Sequence, residues 1–164
     1  YIYDKLVIGC ESAAPEIEVD ISGLNLDFST FNEDHNFLYK MFYGDYPEYF
    51  WVNNGHNGAS VLGNTLTLKP SYSMTGSTLA SAKSAYNAKV DELTKGLSGK
   101  SDYEKSKTIH DRIIDTVTYV SRPGNDQNAY NALVEGKAVD KKYQPIFFHD
   151  FFYLYNGQYH EKLQ

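Results

Sequence analysis

The sequence of 164 residues holds one cysteine, Cys10. It can form no internal disulfide and no multi-cysteine zinc site. A lone thiol is compatible with either redox compartment, so it does not fix location. No apolar run approaches the ~20 residues of a membrane-spanning helix. Cations are in the minority: 15 Lys and Arg stand against 21 Asp and Glu, for a formal net charge of −6. The basic stripe of a nucleic-acid binder is missing. So is a glycine-rich phosphate loop, because Gly55 and Gly58 precede a predicted strand rather than a helix. The five histidines, at 35, 56, 110, 149 and 160, show no ligand spacing. No metal and no cofactor is expected. The first residue is Tyr1 and not Met, so a cut N-terminus is expected, with any signal peptide lost.

What the chain has in excess is aromatic residues, with 15 tyrosines and 9 phenylalanines. Such rings bury much area each and carry many interfaces. Most of them are expected in the core and in strands. The length suits one domain, or one domain and a small lobe.

The pattern predicts an α+β fold, with about five helices packed on a small antiparallel sheet. Ile2, Leu6 and Cys10, spaced by four, predict a helix over 1–11. Ile17, Val19 and Ile21 alternate with Glu16, Glu18 and Asp20 as a half-buried strand. Thr30 and Glu33 suggest a capping box for a helix whose apolar face is Phe31, Leu38, Met41 and Phe42. Pro47 ends it, and the aromatic run from Tyr49 to Val52 reads as a strand. Strands at 59–62 and 65–69, joined by Gly63-Asn64, complete a meander. A helix capped by Ser77 runs to about Leu97, with Leu79, Ala82, Tyr86, Val90 and Leu93 on one face. Ser101 and Glu104 form a second capping box, for a helix with Ile109, Ile113 and Val117 inward. Residues 121–128 read as a loop, 128–134 as a helical turn closed by Gly136, and 143–155 as an aromatic helix. The boundary between an N-terminal lobe and a core is expected at 98/99.

At Tyr103-Glu104-Lys105, Ile109-His110-Asp111 and Val117-Thr118-Tyr119 the chain resembles the bacterial transglutaminase-like family of papain-like cysteine enzymes. The resemblance runs on through Ala129-Tyr130-Asn131-Ala132-Leu133-Val134-Glu135-Gly136-Lys137-Ala138-Val139. Upstream, Tyr46-Pro47-Glu48-Tyr49-Phe50-Trp51-Val52 and Leu68-Lys69-Pro70-Ser71-Tyr72 are similar to the N-terminal lobe of secreted Gram-positive members. The resemblance implies that a nucleophilic cysteine follows Val139, at the N-terminus of a buried helix. There the free N–H groups and partial positive charge stabilise a thiolate. A later histidine and aspartate would complete the triad. This chain departs from that pattern. Asp140 stands at the cysteine position and Lys142 at the glycine position, whereas Tyr143 and Phe147 keep the aromatic positions of the helix. The triad's His and Asp are not apparent before Gln164.

Other candidates are weaker. Asp140 is better read as a helix cap than as a nucleophile. His110 and Asp111 read as a structural histidine and a local pair, and Cys10 as a small hydrophobe. His149-Asp150 and His160-Glu161 read as a solvated helix end. Tyr49, Trp51 and Tyr143 are the candidate binding residues. The reading that follows is a non-catalytic transglutaminase-like domain at a bacterial cell surface or outside the cell, with a cell-wall or protein ligand. One alternative is part of a Cys-His-Asp acyl-transfer enzyme whose catalytic half lies elsewhere, either cross-linking or deamidating glutamines or cleaving peptides. Another is a carbohydrate-binding module using exposed rings. The C-terminal aromatic segment would support self-association as a dimer.

Overall fold

A computed structural model describes residues 1–27, 29–53, 55, 57–120 and 128–138. It is an α+β protein, and its described residues form five helices and two small sheets. They divide into two compact units, Tyr1–Gly76 and Ser77–Gln164. The division groups the helix after Gly76 with the C-terminal unit, whereas the sequence suggested a boundary at 98/99.

The N-terminal unit begins with α1 (Ile2–Glu11), which buries Leu6, Gly9 and Cys10. Strand β1 (Ile17–Asp20) buries alternate residues, as its pattern predicts. Helix α2 (Phe31–Asp45) follows, and then β2 (Gly58–Leu62) and β3 (Thr65–Lys69). The sheet order is β1-β3-β2, all antiparallel. Ile17 lies opposite Leu68 and Val19 opposite Leu66, so four buried aliphatic residues share one face. The β2–β3 hairpin turns at Gly63-Asn64, with Gly63 at a φ of 58°. Glycine takes the first central position of such a turn without a Cβ penalty.

Three expectations for this unit are corrected. The aromatic run 49–52 is not a strand, and β1 supplies the third strand instead. Tyr49 donates its N–H to the Tyr46 carbonyl and Val52 to that of Tyr49, so the segment makes successive turns. Only Val52 bridges to Tyr72. The first capping box does not form. The Thr30 hydroxyl donates to Asp34 at 2.7 Å, and no side chain caps α2. The buried face of α2 is Tyr39 and Phe42, while Met41 is exposed. The reason is that the rings of the 46–51 segment gather on Phe42 and draw that side of the helix inward.

The C-terminal unit holds α3 (Gly76–Thr94) and α4 (Asp102–Thr116), then β4 (Thr118–Tyr119), α5 (Ala129–Leu133) and β5 (Lys137–Ala138). Helix α3 buries Leu79, Ala82, Tyr86 and Leu93, four of the five residues expected on its inner face. Helix α4 has the expected capping box: Ser101 Oγ accepts from the Glu104 N–H, and the Glu104 carboxylate accepts from the Ser101 N–H. Ile109 and Ile113 are its buried residues. Arg112 closes the end of α3, donating to the carbonyls of Leu93 at 2.6 Å and Lys95 at 3.0 Å. Asn128 caps α5, accepting from the Asn131 N–H at 2.9 Å. Strands β4 and β5 pair in parallel, Thr118 with Lys137 and Tyr119 with Ala138. The loop at 121–127 and the aromatic helix expected at 143–155 lie outside the described residues.

Candidate functional site

The stretch that resembles the transglutaminase-like family forms α4, β4, α5 and β5, in that order. The parallel pair brings Ala138, two residues before Asp140, beside Tyr119. Gly136 sits just before β5 with a φ of 65°, and a Cβ there would meet the Thr116 carbonyl at 3.1 Å. The same position receives the N–H of Thr118 on its own carbonyl at 2.8 Å. Glycine therefore meets two demands there, a left-handed backbone and a close approach. Asp140 and Tyr143 lie outside the described residues, as do His149, Asp150, His160 and Glu161.

His110 and Asp111 are both accessible and touch through Nδ1 and Oδ1 at 3.3 Å. Asp111 also accepts from Lys107 Nζ at 2.6 Å, and these two bonds hold its carboxyl below the usual range. The expectation that Asp111 pairs locally holds, and His110 is half-buried, as expected of a partly buried histidine. Surface pairs of this kind contribute little stability.

Cys10 is fully buried. Desolvation pushes its thiol up to about 12, partly opposed by a hydrogen bond with Tyr72. A nucleophilic cysteine needs the opposite environment. The expectation of a small hydrophobe therefore holds, with burial more complete than the sequence suggested.

The candidate binding residues Tyr49 and Trp51 do come together. Their rings stack at 4.8 Å with an interplanar angle of 24°. Trp51, however, is 3% exposed, so it offers no free face for a ligand. Its indole N–H donates to the Cys10 carbonyl at 2.9 Å, which ties the 46–52 segment to α1. Tyr49 is half-buried and continues outward into a ladder of rings. It lies 5.4 Å from Tyr46, which lies 6.3 Å from Tyr3. Tyr3 donates to the Asp45 carboxylate at 2.5 Å. Burial, together with the charges of Glu11 and Glu48, pushes Tyr49 up to about 12. Tyr46 is raised by burial and then by Asp45, Glu48 and Asp4. The sequence pointed to Tyr49 but missed Tyr3 and Tyr46, because the ladder joins α1 to the end of α2 over some forty residues.

An amide clamp at Asn57 ties Asn53 to Ser71. Asn57 Nδ2 donates to the Asn53 carbonyl at 3.0 Å, and Asn57 Oδ1 accepts from the Ser71 N–H at 2.8 Å. Tyr43 also donates its hydroxyl to the Asn53 carbonyl. Among the described residues no group of His, Cys, Asp and Glu is arranged to hold a metal, and no helix is long and apolar enough to cross a membrane.

No family model, no curated protein and no solved structure matches the chain.

Proposed function

We propose that the chain is a non-catalytic transglutaminase-like domain that serves as a binding or structural module at a bacterial cell surface or outside the cell. The observation that carries this reading is the element order of the resembling stretch. A capped helix, a short strand, a helical turn and a second parallel strand lead toward residue 140. The reading expects the nucleophile at that position, and the chain has Asp140. A carboxylate at the start of a helix caps free N–H groups and has no thiolate to offer for acyl transfer. Cys10, deeply buried and protonated, is no substitute.

Two measurements test it. Incorporation of a fluorescent primary amine into a glutamine-rich protein should stay at background, with or without iodoacetamide. Turnover that iodoacetamide abolishes would overturn the non-catalytic reading. The variant Asp140→Cys tests the resemblance itself. A thiol at a buried helix N-terminus should react with a disulfide reagent at pH 6 to 7 many times faster than a free cysteine peptide. An ordinary rate at a folded Asp140→Cys would end the family reading.

A further inference from the structure

The N-terminal unit carries ten Asp and Glu against three lysines and no arginine, so residues 1–76 have a formal charge of −7 and the remaining residues +1. Two of those lysines are engaged, Lys69 with Glu16 at 2.8 Å and Lys5 over the Tyr1 ring at 5.8 Å. Tyr3, Tyr46 and Tyr49 are half-buried, with Asp4, Glu11 and Asp45 exposed near them and Glu48 in the turn between Tyr46 and Tyr49. The rings are held in place. Phe42, fully buried, stacks on Tyr46 at 5.5 Å, and Trp51 anchors Tyr49 from below. Such rings lose little freedom when a ligand binds.

We propose that this ring ladder and its carboxylates dock a cationic polypeptide segment, one presenting lysine or arginine side chains. The chemistry matches the shape of those side chains. Lysine and arginine have an apolar stem and a charged head. The stems lie along Tyr3 and Tyr46, and the heads reach Asp45, Glu48 and their neighbours. An indole or ring face open to solvent would suit a sugar, but the faces of Tyr49 and Trp51 are spent on each other. The charge on this unit favours a cation over a neutral glycan and speeds its encounter. The inference rests on the ring geometry and the charge of the N-terminal unit and not on the transglutaminase-like reading.

The test is a titration of the full chain with hexalysine and hexaarginine, followed through the amide and ring resonances of Tyr3, Tyr46 and Tyr49. Binding should perturb those signals first and weaken at least tenfold between 20 and 300 mM salt, since the Debye length shrinks to below about 10 Å over that range. Asp45→Asn with Glu48→Gln should lower affinity at least tenfold. Asp20→Asn with Asp27→Asn removes the same charge from the same unit and should change it less than twofold. Tyr46→Phe keeps the ring and should bind as the parent does, while Tyr46→Ser should lose most of the affinity. Trp51 emission shows that each variant is folded. Equal losses in the two acid pairs would mean diffuse attraction and would overturn the proposal. So would no binding, or perturbation of the ladder by a chitin oligosaccharide and not by the peptides, or occupation of the ladder by a second copy of the chain.

Discussion

Cys10 and Gly9 show how closely α1 lies on the sheet. A Cβ at Gly9 would fall 2.3 Å from Ile17 Cδ1 and 2.4 Å from Cγ1. Gly9→Ala should therefore destabilise the N-terminal unit by about 1–3 kcal/mol in urea unfolding. In an Ile17→Ala background most of that cost should vanish, because the clashing atoms are gone. An unchanged cost in that background would refute the contact. Cys10 adds a pH dependence. Its folded pKa is raised, so the folded chain stays protonated where the unfolded chain ionises. That stability is intact below the ordinary thiol value of about 9 and is lost as the pH climbs from there toward 12, by at most about 1.4 kcal/mol per pH unit. Cys10→Ala should flatten the decline between pH 9 and 10 relative to the parent. At pH 8 the folded parent should resist thiol reagents and react fully in denaturant. At this scale the sequence was readable for Cys10, because its spacing from Ile2 and Leu6 marks a buried face. It was silent on Gly9, whose importance depends on a strand that follows eight residues later.

The elements were legible where their signal is local. The Ser101–Glu104 box, the alternation of β1 and the Gly63-Asn64 turn each lie within five residues, and each forms as expected. The misreadings share one cause, which is competition from another partner, near or distant. The run at 49–52 has strand-like composition, but its rings find Phe42 and each other and the backbone turns to allow it. Thr30 could accept a helix N–H, but Asp34 offers its hydroxyl an acceptor one turn along. Arg112 gave no sequence signal, since it reaches nineteen residues back to Leu93. Bonds from a charged donor to carbonyls are worth about 1.5–3 kcal/mol. Arg112→Ala should cost the C-terminal unit about that much, measured by thermal unfolding. Arg112→Lys should recover only part, because an ammonium lacks the planar fork. Ser101→Ala should cost about 0.5–2 kcal/mol. If Arg112→Ala is neutral, the closure of α3 by this side chain has no energetic role.

Across the whole molecule, the α+β class follows from composition and pattern, and the division into units does not. Gly76 has a φ of 56° and begins α3, yet no local feature of the sequence separates it from other glycines that punctuate the chain. Charge separates the units, with the N-terminal 76 residues holding ten of the 21 carboxylates but only three of the 15 cations. The expected self-association rests on the aromatic composition of 143–155, which includes Phe147, Phe151, Phe152 and Tyr153. Sedimentation at rising concentration should give a dimer, and replacing Phe151 and Phe152 by serine should give a monomer. A parent that remains monomeric at high concentration would remove this expectation.

Trp51 is the one tryptophan in the sequence, and it lies in the interior of the N-terminal unit with its indole N–H on the Cys10 carbonyl. Light absorbed at 295 nm is thus taken up almost wholly by a single chromophore buried in one half of the protein. The molecule carries its own optical gauge within residues 1–76, and any difference between that emission and the helical circular dichroism on heating measures how independently the two units melt.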